Sequence, residues 1–248
     1  MSSIGTGYDL SPTTYSPDGR VFQVEYALKA VSNSGTVVAL RVKDGVVLAV
    51  EKEVPSKLLV MSSQRRIYTI DGRIGIAMAG LTADARTLAA EARSQASEWR
   101  TNFGIPITPS QLAHRLALHI HTYTMRSPVR PYGVSVLLAG MEDGKPKLFH
   151  IDPSGTALGY MGTSIGGRSH QAKSEIEKLS LDELSVFDGV KECGKILHVV
   201  RQREQAQTKE FCFEMTWVSE QRSHELVPDE LVVEADRLGQ QFVDEMEM

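Results

Sequence analysis

Apolar and polar positions change period several times along the 248 residues, and those changes divide the chain into elements. Two nearly unbroken apolar runs, 36–42 and 46–50, flank Lys43-Asp44-Gly45, and an Asp-Gly step between β-branched runs predicts a hairpin. A second hairpin is predicted over 66–70 and 74–78, turning at Asp71-Gly72. The period then lengthens to that of a helix. Ala85, Leu88, Ala89, Ala92, Ala96 and Trp99 form one stripe, with Thr82 as the expected N-cap. Thr108-Pro109-Ser110-Gln111 is a capping box with proline at the first helical position, so another helix should follow with Leu112, Leu116, Ile120 and Tyr123 inward.

Three further apolar runs, 134–139, 147–151 and 157–161, are broken by Glu142-Asp143-Gly144 and Asp152-Pro153-Ser154-Gly155 and read as a meander. Helical spacing returns at Ala172, Ile176 and Leu179. It appears again after a second capping box, Ser180-Leu181-Asp182-Glu183, with Leu184, Phe187, Val190 and Leu197 on one face. Residues 211–218 alternate as a strand, and a last helix follows Pro228 with Leu231, Ala235, Leu238 and Phe242 aligned. Helices therefore come in clusters and do not alternate singly with strands. That order indicates a layered α+β domain with antiparallel sheets, and pattern alone leaves open whether there is one sheet or two.

The N-terminal region reads differently. Ser16-Pro17-Asp18-Gly19 has the residues of a type I turn, Pro17 supplying a preset φ and Asp18 an expected local acceptor. From Arg20 onward Val24, Ala27, Leu28 and Val31 recur at helical spacing, predicting a short amphipathic helix over 20–31. Residues 1–7 hold two glycines, three hydroxyl residues and no periodic apolar face, so ordering or releasing them should cost little.

These residues also carry a family resemblance. Tyr8-Asp9 together with Phe22-Gln23-Val24-Glu25-Tyr26-Ala27 resembles the N-terminal signature of proteasome alpha subunits, and the opening 3–11 is most similar to members at the seventh ring position. The similarity continues in order through Lys43-Asp44-Gly45, Ala79-Gly80-Leu81-Thr82-Ala83-Asp84, Arg130-Pro131-Tyr132-Gly133, Asp152-Pro153-Ser154-Gly155 and Ala172-Lys173-Ser174-Glu175. It implies a four-layer αββα sandwich of antiparallel sheets over 34–245, the N-terminal nucleophile hydrolase fold, with an extra N-terminal helix. It implies also a tail, 1–12, that gates an axial pore.

Bulk properties agree with one domain spanning 1–248: 42% hydrophobic residues support one core, and no stretch reads as a linker. No apolar run approaches about eighteen residues and no basic-then-apolar leader is seen, so a soluble intracellular chain without membrane partners is expected. Cys193 and Cys212 lack CxxC spacing and read as reduced thiols. A net charge of −4 offers no footprint for nucleic acid, leaving proteins as the expected partners.

In the catalytic beta relatives an N-terminal threonine attacks the peptide bond, its hydroxyl as nucleophile and its free amine as base, with a lysine nearby. The resemblance places Gly35 where that threonine would stand and Arg66 where the lysine would, so no catalytic residue is assigned. Thr36 is one residue out of register, and on a strand that turns its side chain to the opposite face. An active threonine peptidase and a free-standing binding module are the alternatives. His119 and His121, two apart on a predicted helix, face different ways, and no metal or cofactor is expected.

The resemblance assigns Gly5, Gly7, Tyr8, Asp9, Pro17 and Tyr26 to the gate, where Leu10 replaces the family's usual arginine. It assigns Gly19, Arg66 and Leu81 to a pocket between adjacent alpha subunits that takes activator C-terminal tails, where a cation faces the incoming carboxylate. Implied partners are the other alpha subunits of a heteroheptameric ring, beta-ring subunits, the regulatory particle or other activators, and assembly chaperones. The implied location is cytoplasm and nucleus. Arg130-Pro131-Tyr132-Gly133 is expected to set a turn and make contact within the ring, and the short acidic end, Asp244-Glu245-Met246-Glu247, to be a solvated helix terminus.

Overall fold

A computed structural model describes residues 7–54, 56–202 and 211–246. Helix α1 (Phe22–Ser32) leads into strands β1 (Val37–Val42) and β2 (Gly45–Glu53), an antiparallel hairpin that closes with Val42 opposite Gly45. Strands β3 (Ile67–Asp71) and β4 (Ile74–Gly80) form the second predicted hairpin. Helices α2 (Thr82–Phe103) and α3 (Pro109–Thr124) follow, then β5 (Val134–Glu142), β6 (Lys145–Ile151), β7 (Ala157–Gly159) and β8 (Gly162–Ile165). The chain continues through α4 (Ser169–Ile176), α5 (Val186–Gln202), β9 (Phe211–Ser219), β10 (Glu225–Leu226) and α6 (Asp229–Met246).

Among the described residues the strands form two five-stranded antiparallel sheets, ordered β10-β9-β2-β1-β8 and β3-β4-β5-β6-β7. Side-chain parity explains the layers. On β1, Val38, Leu40 and Val42 pack under α4, α5 and α6, whereas Val37 and Ala39 face the other sheet. On β5, Val134, Val136 and Leu138 lie under α2 and α3, whereas Leu137, Ala139 and Met141 face back across the seam. Both faces of each sheet are covered, giving the αββα sandwich. This is why antiparallel strands, which usually alternate apolar and polar, here read as continuous apolar runs.

Several boundaries depart from the sequence reading. The run 157–161 is not one strand: β7 ends at Gly159, and the chain crosses to the other sheet, where β8 pairs β1 with Ile165 opposite Val37. Thr82 is the first helical residue of α2, and Leu81 takes the N-cap position without a side-chain cap. The Thr108 box is formed, with Gln111 N–H donating to Thr108 Oγ1 at 3.3 Å and Thr108 N–H to Gln111 Oε1 at 3.2 Å. Ser180-Leu181-Asp182-Glu183 caps no long helix. Instead α5 starts six residues later on Ser185 and Asp188, the Asp188 N–H donating to Ser185 Oγ at 3.2 Å and Ser185 Oγ–H to Asp188 Oδ2 at 2.7 Å. Asp44, in the turn of the first hairpin, accepts from Val186 N–H at 2.9 Å and ties that helix start to the sheet.

Candidate functional site

Two places on this frame, at opposite ends of α1, hold the residues singled out in the sequence. At its C-terminal end lies a cleft of about 370 Å³, lined by Ser34, Gly35, Glu51, Lys52, Arg66 and Arg168 among others. Gly35 stands at the head of β1, where the strand meets β2 closely: a Cβ there would lie 2.7 Å from the Glu51 carbonyl oxygen. The backbone is tied on both sides of it. Ser34 N–H donates to Val31 O at 3.0 Å, Gly167 N–H to Ser34 O at 2.9 Å, and Glu51 N–H to Thr36 O at 3.0 Å. Position 35 is thus flanked by backbone hydrogen bonds and has no room for a side chain.

The Arg66 guanidinium enters this cleft, its nearest nitrogen 3.8 Å from where a Gly35 Cβ would be. Nη1 donates to Gly80 O at 3.4 Å, and buried Nε has no partner. Burial lowers the guanidinium below the ordinary arginine value, against the nearby Tyr68 and Glu214, yet an arginine so placed stays charged at neutral pH and cannot act as a base. Around it the charges are paired: Lys52 with Glu214 at 3.4 Å, and Arg168 with Glu51 through contacts of 2.9 and 3.0 Å. Glu51, 1% exposed at its side chain, also accepts from Arg201 at 2.9 Å. Thr36 is buried at 1% exposure with its hydroxyl unpartnered and does not line the cleft.

The N-terminal corner occupies the other end of α1. Its turn closes as predicted, with Gly19 N–H donating to Ser16 O at 2.9 Å and Gly19 in the left-handed region at φ 75°, where a side chain would be strained. The local acceptor is not Asp18 but Ser16, whose hydroxyl accepts from Arg20 N–H at 3.1 Å while its own N–H donates to Arg20 O at 2.9 Å. Asp9 folds back on α1: Tyr26 Oη–H donates to Asp9 Oδ2 at 3.3 Å, and Gln23 Nε2–H donates to the Asp9 carbonyl. Desolvation, then the Asp9 carboxylate, raises the Tyr26 phenol above its usual value. Tyr8 is exposed and Leu10, 85% exposed, points into solvent.

Of the expected gate residues, Asp9 and Tyr26 are brought together, Pro17 holds the adjoining turn, Gly7 and Tyr8 stand just upstream, and Gly5 lies outside the described residues. Of the expected pocket residues, Arg66 reaches Gly80, whose neighbour Leu81 packs near the C-terminal end of α1: a Cβ on Gly133 would meet Leu81 at 3.0 Å and Ala30 at 3.5 Å. Within one chain Gly19 is not with them. It precedes the other end of α1, an 11-residue helix about 16 Å long.

Sequence reasoning missed the clamp that holds Leu81 in place. Asp84, in the first turn of α2, accepts from Arg130 Nη1 and Nη2 at 2.7 and 2.8 Å and from Gly133 N–H at 2.9 Å. The Arg130 hydrogen bonds hold its carboxyl below the usual range, aided by Gly133 N–H and opposed by burial. The Arg130-Pro131-Tyr132-Gly133 turn is thereby fixed. His119 and His121 do diverge, His119 toward Tyr132 and Glu91, His121 toward Ser154 O at 3.0 Å. Among the described residues no helix is long and apolar enough to cross a membrane.

Comparison with known proteins matches the model of the proteasome subunit family over residues 31–217 and that of the N-terminal signature of A-type proteasome subunits over residues 8–30. The chain is 48% identical over 247 residues to the alpha type-3 proteasome subunit of Acanthamoeba castellanii, covering 99% of this chain and 97% of the relative. The alpha type-3 subunit of Arabidopsis thaliana is 45% identical, covering 100% and 99%. A probable alpha type-7 subunit of Saccharomyces cerevisiae is 38% identical, covering 98% and 86%.

Proposed function

Because the chain belongs to the proteasome alpha-subunit family, we propose that it serves the outer ring of the core particle as a noncatalytic subunit that shapes the ring, restricts substrate entry and receives activators. Peptide bonds are then cut by beta subunits elsewhere in the particle. One observation carries the noncatalytic part: threonine proteolysis needs a hydroxyl on the residue at the head of the strand, and position 35 is a glycine pressed against the Glu51 backbone.

The gate is assigned to Gly5, Gly7, Tyr8, Asp9, Pro17 and Tyr26. In support, the described part of the tail is held to α1 by few hydrogen bonds, from Gln23 and Tyr26 to Asp9, so its release costs little. Arg66 and Leu81 are assigned to the activator pocket. The supporting feature is a partly buried cation that lines the cleft and whose Nε has no partner, suited to a charge-assisted bond with a terminal carboxylate. Gly19 is assigned to the same pocket, which lies between adjacent alpha subunits, so that the corner of one chain would face the Arg66 cleft of the next. The regulatory particle and assembly chaperones are proposed partners, and cytoplasm and nucleus the proposed location. Deleting residues 2–10 should raise basal hydrolysis of a fluorogenic peptide by the assembled particle, with this chain inert to an epoxyketone probe. Unchanged hydrolysis removes the gate; labelling of this chain removes the noncatalytic assignment.

A further inference from the structure

Along one side of the sandwich the two sheets end on β3 and on β9 with its short neighbour β10, and side chains and backbone bridge the seam between them. At one end of β3, Arg66 N–H donates to Glu214 Oε2 at 3.0 Å; at the other, His224 N–H donates to Gly72 O at 2.8 Å. Beside the same strand the seam opens into a hollow of about 460 Å³. Ile67, Met215 and Val227 line it although each is at most 5% exposed, so it reaches past the surface into the sandwich. Tyr68 and Phe213 add aromatic wall. A recess of this size with a largely apolar floor and a few polar groups is the form small-molecule sites take.

The charges around the hollow do not cancel. Arg93, on α2, is held by Thr69 O, which accepts from Nε at 3.0 Å and from Nη2 at 2.8 Å; a carbonyl orients the guanidinium without neutralising it. Nη1 of Arg93 has no partner among the described residues. Arg65 lines the same hollow, is exposed, and pairs with no carboxylate among the described residues. Lys52 is already spent on Glu214 at 3.4 Å, and both ring nitrogens of His224 are engaged by the Thr69 and Thr216 hydroxyls at 2.8 and 3.0 Å. Opposing the two guanidiniums is one unpaired carboxylate, Asp229 in the first turn of α6, where the helix dipole offsets its charge.

We propose that this hollow binds a small aromatic anion, its acidic group held by Arg65 and Arg93 and its rings lying against Ile67, Phe213 and Met215. The two uncompensated guanidiniums call for the acid, through charge-assisted hydrogen bonds, and the apolar floor with its aromatic wall calls for the rings. A peptide adding as a strand to the β3 edge is disfavoured, because Thr69 O, an acceptor such a strand would need, is already taken by Arg93. A compact molecule displaces no such bond. It would touch β3 and β9 together, so occupancy braces the seam and stabilises the chain. The site uses no gate residue and shares only Lys52 with the Arg66 cleft, so it stands apart from the function proposed above.

The test titrates the folded full chain with 8-anilinonaphthalene-1-sulfonate and follows its fluorescence. Saturable binding at one site is expected, weakened about tenfold when Arg65→Gln and Arg93→Gln are combined and tightened about twofold by Asp229→Asn. N-phenyl-1-naphthylamine, which keeps the rings and lacks the sulfonate, should bind about tenfold more weakly than the sulfonate. Because Arg93 also braces the β3 edge, Val232→Trp provides a second variant: it fills the hollow from the α6 side, leaves both guanidiniums in place, and should abolish the saturable phase. Equal titrations for the wild-type chain and these variants overturn the proposal, as does equal affinity for the uncharged amine. Binding that never saturates, or no binding to the wild-type chain, overturns it as well.

Discussion

The two ends of α1 are built on opposite principles. At the C-terminal end charges are buried and paired, glycine replaces any side chain at position 35, and backbone bonds close around it from α1, β2 and the Gly166-Gly167 turn. At the N-terminal end Asp9, Tyr26, Arg20 and Glu25 make their contacts in solvent. An interior ion pair raises the cost of any rearrangement, because each charge depends on its partner, whereas exposed pairs contribute little and exchange readily. One end is therefore suited to holding a fixed shape and the other to changing it.

The sharpest way to break this contrast is at Glu51. Glu51→Ala removes the carboxylate that two buried guanidiniums share and should cost about 3–5 kcal/mol, lowering the melting temperature of the chain by roughly 10 °C. A shift as small as that of a surface mutant would show that the closed end is not held by its charges. Acid should reveal a similar dependence at the seam. His224 joins the two sheets, its Nδ1 2.8 Å from Thr69 Oγ1 on β3 and Nε2 3.0 Å from Thr216 Oγ1 on β9, and burial pushes its imidazole down to about 4. His150, its Nε2 unpartnered, is likewise pushed down to about 4 by burial and Lys173, with Asp152 opposing. Both are neutral in the fold, while the unfolded chain takes up protons below about 6.5. Stability should be complete above that pH, fall as pH drops toward 4, and level off below it, by about 3 kcal/mol for His224. Denaturant titrations at pH 7 and pH 4.5 measure the loss, and His224→Gln should shrink it.

Gly35→Thr comes next, forcing the Glu51 backbone aside for about 1–3 kcal/mol without creating peptidase activity. An unaltered melting curve would mean the head of β1 has room after all. The smallest effect belongs to the corner. Tyr26→Phe deletes an exposed 3.3 Å bond and should change stability by no more than about 0.5 kcal/mol, while raising basal peptide hydrolysis by the particle if Asp9 anchors the tail. A large loss of stability would place the corner in the same class as the cleft.

The nearly unbroken apolar runs of β1, β2 and β5 stood in the sequence, but pattern alone left one sheet or two open, and only the two covered faces of each strand account for the missing polar phase. What the sequence hid depended on tertiary pairing. Strand β10 is two residues long and exists only because Glu225 and Leu226 line up against Trp217 and Thr216. The start of α5 depends on Asp44, 142 residues upstream, which no local motif announces. At the site, Gly35 and Arg66 were legible through family likeness and do face each other. The Asp84–Arg130 clamp and the Glu51–Arg168 pair join positions 46 and 117 residues apart and left no periodic trace. Gly19 and Arg66, grouped by likeness at a pocket between adjacent subunits, are separated by the length of a helix within one chain, a distance that such a pocket does not ask one chain to bridge.

The doubly covered sheets bear also on how such a chain can evolve. Selection acting on β1 or β5 has no solvent-facing register along which substitutions drift unnoticed, because consecutive residues from Val134 to Gly140 press on different neighbours and all are buried. Divergence among relatives should accordingly be channelled into turns, helix backs and termini. It is there, in a turn or a tail residue, that one ring position can become distinct from the next.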